Sequence, residues 1–258
     1  MKTIFITFLG IVLCLFFAGC SQKGDPNIAQ HPASNSASAK AATPIEPATA
    51  ASVSGTVHFS GAVPKITKID MSMDPGCRGE NQSESYVVND GKLANVVVYV
   101  KEGLKAPYVR LSFAQPLTID QKGCKYIPHV AAVMVGDTVR FTNSDPATHN
   151  IHPSPTNNPK WNESQMPTSP VITKTFANPE MMMPIQCNQH PWMRMYLSIL
   201  PNPFFAVTDT NGNFEITGLP PGDYTLAAVH EKMGEQTLQI HVGAKESKTG
   251  VAFSFAAQ

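Results

Sequence analysis

Proline and glycine recur at short intervals along this chain and limit the length of any regular element. The 258 residues include 22 prolines and 17 glycines. Both residues interrupt helices, whereas short strands accommodate them in the turns that join the strands. The apolar fraction of 42% is enough to build cores from such strands. The sequence therefore predicts an all-β protein and excludes helical bundles and long coiled coils.

The charge balance gives no support for nucleic-acid binding. The 19 Lys and Arg residues match the 19 Asp and Glu residues, so the formal net charge is zero. Proteins that bind nucleic acids usually carry a basic patch or have a high isoelectric point. We therefore expect no nucleic-acid partner.

The N-terminus has the features of an export signal. Lys2 supplies a positive charge, and residues 4–17 form an almost continuous apolar run of signal-peptide length. The run is too short to cross a bilayer comfortably. Residues 17–20, Phe-Ala-Gly-Cys, resemble the lipobox of bacterial lipoproteins, in which the signal is cut before a cysteine that is then lipidated. The alternatives are a plain signal peptide and a short membrane helix.

The lipobox resemblance implies a signal peptide of residues 1–19 and a lipid anchor on Cys20. By the same resemblance, Ser21 implies the outer membrane of a bacterial cell envelope, with the protein facing the periplasm. Residues 20–51 are rich in Ala, Ser, Pro and Thr and contain no aromatic residue. Such a segment cannot bury enough apolar area to offset its ordering entropy, so we expect a flexible tether.

The cysteines divide by expected role. The chain has five of them: Cys14, Cys20, Cys77, Cys124 and Cys187. Cys14 leaves with the signal and Cys20 is the lipid site, which leaves three thiols in an oxidising compartment. An odd count means that one thiol has another role, and the neighbours of Cys187 indicate which one. We expect a disulfide between Cys77 and Cys124; the alternatives are two buried free thiols or a second metal site that includes His129.

Residues 187–193, Cys-Asn-Gln-His-Pro-Trp-Met, carry the chemistry together with an upstream strand and His149. A thiolate, two imidazoles and a thioether form a soft donor set that suits copper, and two histidines, a cysteine and an axial methionine make a blue-copper site. Three donors would lie on one loop between strands, and the fourth at a distant strand end. Zinc is the alternative metal, but a thioether is a poor zinc ligand.

These motifs resemble the cupredoxin family over residues 130–200. The Cys-x-x-His-Pro-aromatic-Met loop is most similar to that of amicyanin, and the strand at residues 135–143 is similar to plastocyanin-like proteins. The resemblance implies one type 1 copper held by four ligands: His149, Cys187, His190 and Met193. It also implies that Asn150 fixes the ligand loops by hydrogen bonds.

Several nearby residues offer alternatives within this site. His152 is a second candidate for the first imidazole, and Met195 is a second candidate for the axial thioether. The run Met181 to Met183 has two interpretations: recruitment of cuprous ion through thioethers, or filling of gaps in a core.

The resemblance also implies where a redox partner docks. In cupredoxins, the histidine of this loop presents its outer ring edge at an apolar surface patch. Here that histidine is His190, beside Pro191 and Trp192. We expect a cytochrome or dehydrogenase to dock at Pro191 and Trp192; the alternative is that Trp192 packs as part of the core.

The rest of the chain predicts a second sandwich. Residues 209–226 read Asp-x-x-Gly-x-Phe-x-Ile-x-Gly-Leu-Pro-Pro-Gly-x-Tyr-x-Leu and resemble the carboxypeptidase regulatory-like, transthyretin-type domain. Residues 52–108 are expected to supply its first strands, and residues 201–258 the remaining ones. The cupredoxin domain at residues 109–200 would then be an insertion. The alternative is a cupredoxin over residues 84–200 followed by a partial sandwich.

The expected function is an exported, lipid-anchored copper protein that carries one electron at a time. Multicopper oxidases and nitrite reductases have a similar loop, but histidines that bind further copper ions flank its cysteine. Here Gln186 and Asn188 flank Cys187. A binuclear site would need a second cysteine at position 183, which is Met183. We therefore expect no catalytic activity beyond electron exchange. The alternatives are a copper-delivery protein without electron shuttling and a surface module that copper merely stiffens.

Overall fold

The computed structural model describes residues 43–109 and 115–256. Every regular element within these ranges is a β-strand, so the expectation of an all-β fold is confirmed. In the same ranges no helix has the length and apolar character needed to cross a membrane. The expected signal peptide of residues 1–19 and the lipid site at Cys20 lie outside the described residues.

The strands are short and numerous, as expected from the spacing of proline and glycine. Those before residue 110 are β1 (Thr43–Pro44), β2 (Ala51–Ser60), β3 (Lys68–Ile69), β4 (Asn81–Gln82), β5 (Val88–Asn89), β6 (Lys92–Leu93), β7 (Val97–Glu102) and β8 (Tyr108–Val109). Those of the middle region are β9 (Leu117–Gln121), β10 (Tyr126–Ile127), β11 (Val130–Met134), β12 (Thr138–Asn143), β13 (His149–Pro153), β14 (Glu163–Gln165), β15 (Ile172–Thr175), β16 (Glu180–Gln186) and β17 (Arg194–Leu200). The last are β18 (Phe205–Val207), β19 (Asn213–Leu219), β20 (Gly222–His230), β21 (Gly234–Val242) and β22 (Ser247–Ala256).

Strands β9 to β17 form the central sandwich. One sheet has the order β10-β9-β12-β15 and the other the order β11-β17-β16-β13-β14. In β12, buried Val139 and Phe141 alternate with exposed Arg140, which is the pattern of a strand with one face in a core. They share a core with Ile151 and Ile185 of the other sheet. Burying each large apolar side chain contributes about 1.5–3 kcal/mol.

The split sandwich is built from two separate stretches of the chain. One sheet has the order β18-β7-β20-β21; the other has the order β19-β2-β6-β5, with β22 also paired to β2. Gly55 of β2 allows the close approach of β22, because a Cβ at this position would lie 1.8 Å from the Val251 carbonyl oxygen. β18 pairs with β7, and Phe205 lies opposite Tyr99. The chain therefore leaves and re-enters this sandwich at neighbouring strands.

A small apolar cluster lies where the two sandwiches meet. Its buried members are Val97, Val130 and Leu200. Met181 and Met182 pack against it, while Met183 is buried in the core of the central sandwich. The methionine run therefore fills apolar gaps, as flexible thioether side chains commonly do.

Residues 61–86, named the cap here, connect β2 to β5 and lie against the central sandwich. The cap contains the β3–β4 pair, and its Met71 is buried in the central core. Cys77 forms a disulfide with Cys124, with 5.5 Å between the two Cα atoms. Gly76 allows a close approach at the same place, because a Cβ there would lie 2.9 Å from the Ala147 Cβ. The cap is thus fastened to the sandwich by a covalent bond and by packing.

Candidate metal centre

The turn that follows β12 places His149. Asn143, the last residue of β12, donates from Nδ2 to the Ala147 carbonyl at 2.9 Å, and its Oδ1 accepts from the Asp145 amide at 3.0 Å. Asparagine commonly closes turns in this way, through hydrogen bonds to nearby backbone groups. His149 then opens β13 and is fully buried.

The loop of residues 187–193 is closed by its own backbone. The Met193 amide donates to the His190 carbonyl at 2.9 Å, and the Cys187 amide donates to the Met193 carbonyl at 3.2 Å. The loop joins β16 to β17, two adjacent antiparallel strands. Cys187, His190 and Met193 are all buried by this arrangement.

Three side chains, those of His149, Cys187 and His190, converge between β13 and this loop and are called the donor group here. The Nδ1 atoms of His149 and His190 lie 2.9 Å apart, and the Cys187 sulfur lies 3.6 Å from the His190 Nδ1. All three ligand atoms lie within 4.8 Å of one another. None of these three residues is more than 2% exposed, so water has little access to the group.

The donor set fits copper. Cys187 is the free cysteine of the described residues, and a thiolate with two imidazoles is a soft set that copper prefers. Met193 is buried in the same core as Cys187 and offers a thioether, which is a poor zinc ligand. Bound copper would supply a one-electron couple held by these side chains.

Two other groups of metal-binding side chains adjoin the first. One joins Asp74, Cys77 and His190, and the other joins Cys124, Asp145 and His149. Each depends on a cysteine that the disulfide removes from use as a thiolate. The group that contains Cys187 is therefore the one with a thiolate to offer.

Asn150 links the two segments that carry the donors. Its Oδ1 accepts from the Asn188 amide at 2.7 Å and lies 3.3 Å from the Cys187 sulfur. Its Nδ2 donates to Asn162 Oδ1 at 2.6 Å. These bonds hold the loop of residues 187–193 against β13, and such outer partners fix the orientation of metal ligands.

The sequence reasoning missed two carboxylates that contact the outer nitrogens of the imidazoles. His149 Nε2 lies 2.9 Å from Asp145 Oδ2, and His190 Nε2 lies 2.8 Å from Asp74 Oδ2. Burial lowers the pKa of His149, although its bond to Asp145 acts in the opposite direction. The sequence could have indicated Asp145, because it lies only four residues before His149. Asp74 comes from the cap, and no sequence signal connects it to His190.

His152, the alternative first imidazole, does not belong to the group formed by His149, Cys187 and His190. His152 is only partly buried, and its Nδ1 bonds to Asn188 Oδ1 at 2.9 Å. Met195 lies within β17, opposite Ile185 on β16. The structure thus brings His149, not His152, to Cys187 and His190.

His129 does not join Cys77 and Cys124 in a second metal site. Its Nε2 lies 2.6 Å from a Glu231 carboxylate oxygen, and its Nδ1 lies 3.1 Å from the Arg194 carbonyl oxygen. It belongs to the contact between the two sandwiches, and the two cysteines are already bonded to each other.

The surroundings of His190 differ from what the family resemblance implied. The outer edge of its ring is not at the surface: the residue is 2% exposed, and the ring faces Asp74 of the cap. Pro191 is exposed and Trp192 is partly exposed. The Trp192 ring centroid lies 5.1 Å from that of His190, and its Nε1 donates to the Cys124 carbonyl at 3.2 Å. The expected docking residues thus remain accessible, while the histidine edge does not.

Comparisons with known proteins give distant structural matches. No family model and no curated protein matches the chain. It is similar to a copper-containing nitrite reductase from Thermus scotoductus SA-01, at 23% identity and a TM-score of 0.31, over 40% of this chain and 25% of that one. A purple cupredoxin from Nitrosopumilus maritimus matches at 22% identity and a TM-score of 0.28, over 33% of this chain and 99% of that one. An amicyanin mutant in the Cu(I) state matches at 21% identity and a TM-score of 0.30, over 40% of this chain and 98% of that one.

Proposed function

We propose that this protein binds one type 1 copper and acts as a one-electron carrier. The observation that carries the proposal is the buried convergence of two imidazole nitrogens and the Cys187 sulfur, with separations of 2.9 and 3.6 Å. His149, Cys187 and His190 are the proposed equatorial ligands, and Met193 is the proposed axial ligand. Carboxylates behind both imidazoles fix which ring nitrogen faces the donor group.

The rigidity of the donor group suits electron transfer. His149 is held by the turn that follows β12, and the other donors are held by a loop closed by its own hydrogen bonds. Asn150 connects the two segments. Side chains fixed in this way move little when the charge of the site changes, which keeps the reorganisation energy low.

We further propose that the protein is exported and anchored by lipid on Cys20, at the outer membrane facing the periplasm. The support is the lipobox-like sequence at residues 17–20 and the composition of the segment that follows. A redox protein, such as a cytochrome or dehydrogenase, would be its partner in that compartment.

The proposal is tested by adding cupric ion to the metal-free protein and recording its visible spectrum. An intense blue band from the thiolate, with reversible reduction and electron exchange with a cytochrome c, is the expected result. Binding of cuprous ion alone, without that band, would replace the carrier function with copper delivery. Absence of binding in both oxidation states would overturn the metal site.

Replacing Met193 by leucine is expected to preserve copper binding and raise the reduction potential. A thioether stabilises cupric ion better than a hydrocarbon does, so its loss favours the reduced state. Voltammetry measures the change, and Met195→Leu is the matched control, since Met195 is also buried but lies within β17. If only the control shifts the potential, the axial role passes to Met195.

Replacing Trp192 by alanine is expected to slow electron exchange far more than it changes the copper spectrum. Trp192 is the partly exposed ring that contacts buried His190, so it offers a route to the surface. Stopped-flow exchange with cytochrome c measures the rate. Trp192→Phe keeps a ring but loses the bond to the Cys124 carbonyl, and it should retain most of the rate. Equal loss of rate and spectrum in Trp192→Ala would make the residue purely structural.

A further inference from the structure

The cap covers the one imidazole edge that the cupredoxin resemblance placed at the surface. The His190 side chain is 3% exposed, and its Nε2 lies 2.8 Å from Asp74 Oδ2. Asp74 itself is 35% exposed, so it stands between the imidazole and the solvent. A carboxylate in this position contacts a proposed metal ligand directly, although it lies 116 residues away in sequence.

The carboxylate of Asp74 is held in place by its own segment. Its Oδ1 accepts from the Gly76 amide at 2.7 Å. The carboxylate is thus held between the Gly76 amide on one side and the His190 ring on the other. The disulfide at Cys77, three residues further along, ties this turn to Cys124 of the central sandwich. The distance between Asp74 and His190 is therefore set by covalent and packing constraints on the cap.

The same arrangement recurs at the other imidazole. Asp145 Oδ2 faces His149 Nε2 at 2.9 Å, and the two Asp145 oxygens also accept from the amides of Gly123 and Cys124. A carboxylate thus lies behind each of the two imidazoles that face the Cys187 sulfur. Nearby negative charge stabilises the more positive form of a bound metal, and a carboxylate partner makes an imidazole a stronger donor.

We propose that Asp74 is a positioning residue that aims His190 at the donor group, lowers the reduction potential of the loaded site and, with the cap, shields Cys187 from solvent. The effect on the reduction potential rests on the proposed copper site, whereas the shielding of Cys187 from solvent also holds in the metal-free protein. Electrons would then enter and leave the site through Trp192, because the cap covers the outer edge of the His190 ring.

Two substitutions separate the charge of Asp74 from its position. Asp74→Asn removes the charge but leaves an oxygen that can accept from His190, whereas Asp74→Ala removes both. Asp70→Asn and Asp70→Ala are the matched controls. Asp70 lies on the same cap, is exposed, and bonds to the Ser72 amide at 2.9 Å without contacting the metal centre.

The first measurement uses the metal-free protein and needs no copper. The full chain is treated with iodoacetamide, and peptide mapping by mass spectrometry follows the labelling of Cys187. Asp74→Ala is expected to speed labelling by about tenfold or more, since opening of a buried site depends on the contacts that close it. Asp74→Asn should label more slowly than Asp74→Ala, and both Asp70 variants should label like the wild type.

The second measurement uses the copper-loaded protein and voltammetry. Both Asp74 variants are expected to raise the reduction potential, while the Asp70 variants leave it unchanged. Equal potentials and equal labelling rates for the Asp74 and Asp70 variants would overturn the inference while leaving a copper-binding wild type intact. A wild type that binds no copper would overturn the proposed function, and the labelling rates would still test whether Asp74 shields Cys187.

Thermal unfolding checks that each variant is folded. If Asp74→Ala is not folded, Asp74→Asn is compared with Asp70→Asn instead.

Discussion

Replacing Cys187 by serine is expected to abolish the intense visible band of the copper-loaded protein and leave its fold largely intact. In the proposed site the Cys187 thiolate would be the charge-transfer partner of the copper, whereas a serine hydroxyl is not ionised at neutral pH. Loss of an outer partner typically costs 10–100-fold in metal affinity, so loss of a direct ligand should cost more than about 100-fold. Absorption spectroscopy and a copper titration measure both effects.

The fold should survive this change because few contacts depend on the sulfur. Cys187 follows β16 and is one of many buried residues of the central core, so the exchange of one sulfur for a hydroxyl leaves most of that core unchanged. Circular dichroism and thermal unfolding check this point. His152→Gln is the matched control, because His152 lies on β13 beside the donor group and makes no bond to it. A band that persists in Cys187→Ser, or disappears in His152→Gln, would contradict the ligand assignment.

Replacing both Cys77 and Cys124 by serine is expected to lower the free energy of unfolding by about 4 kcal/mol. The two residues are 47 apart in sequence, and the loop-closure relation gives this magnitude for a ring of that size. Both side chains are buried, so the serine hydroxyls add a further cost. Denaturant unfolding of the metal-free protein measures the difference.

The wild type under reducing conditions is the control for this variant, since it loses the bond without gaining hydroxyls. Reduction should lower the free energy of unfolding of the wild type by most of the amount expected for the double variant. Alkylation without reduction, followed by mass spectrometry, tests the bond directly. Recovery of both cysteines in alkylated form, or a loss of stability below about 1 kcal/mol, would show that the bond does not form or does not constrain the unfolded chain.

Local patterns predicted the parts of this fold that depend on local chemistry. The frequent prolines and glycines exclude long helices, and alternation such as that of Val139, Arg140 and Phe141 indicates a strand with one buried face. The loop of residues 187–193 could be identified because its donors lie within seven consecutive positions. The preference for His149 over His152 depends on the family resemblance, since nothing local in the sequence distinguishes the two histidines.

Contacts made by the cap could not be predicted. Asp74 reaches His190 because residues 61–86 leave one sandwich and pack on the other, and no periodic pattern encodes that path. The resemblance to cupredoxins gave the wrong environment for the outer edge of His190, because it describes the central sandwich and not a segment added from outside. Residue patterns predict which groups can bind a metal, whereas the tertiary path of the chain determines what surrounds them.

The split sandwich determines the order in which the molecule can be completed during biosynthesis. β2 is among the first strands to emerge, yet its long pairings are with β19 and with β22 at the other end of the chain. Translation delivers the whole central sandwich before either partner, and pairings between distant segments form slowly. β2 therefore waits with exposed edges, which are a template for aggregation. A truncation that removes β22 would deprive β2 of its parallel neighbour and leave that edge of the strand unpaired.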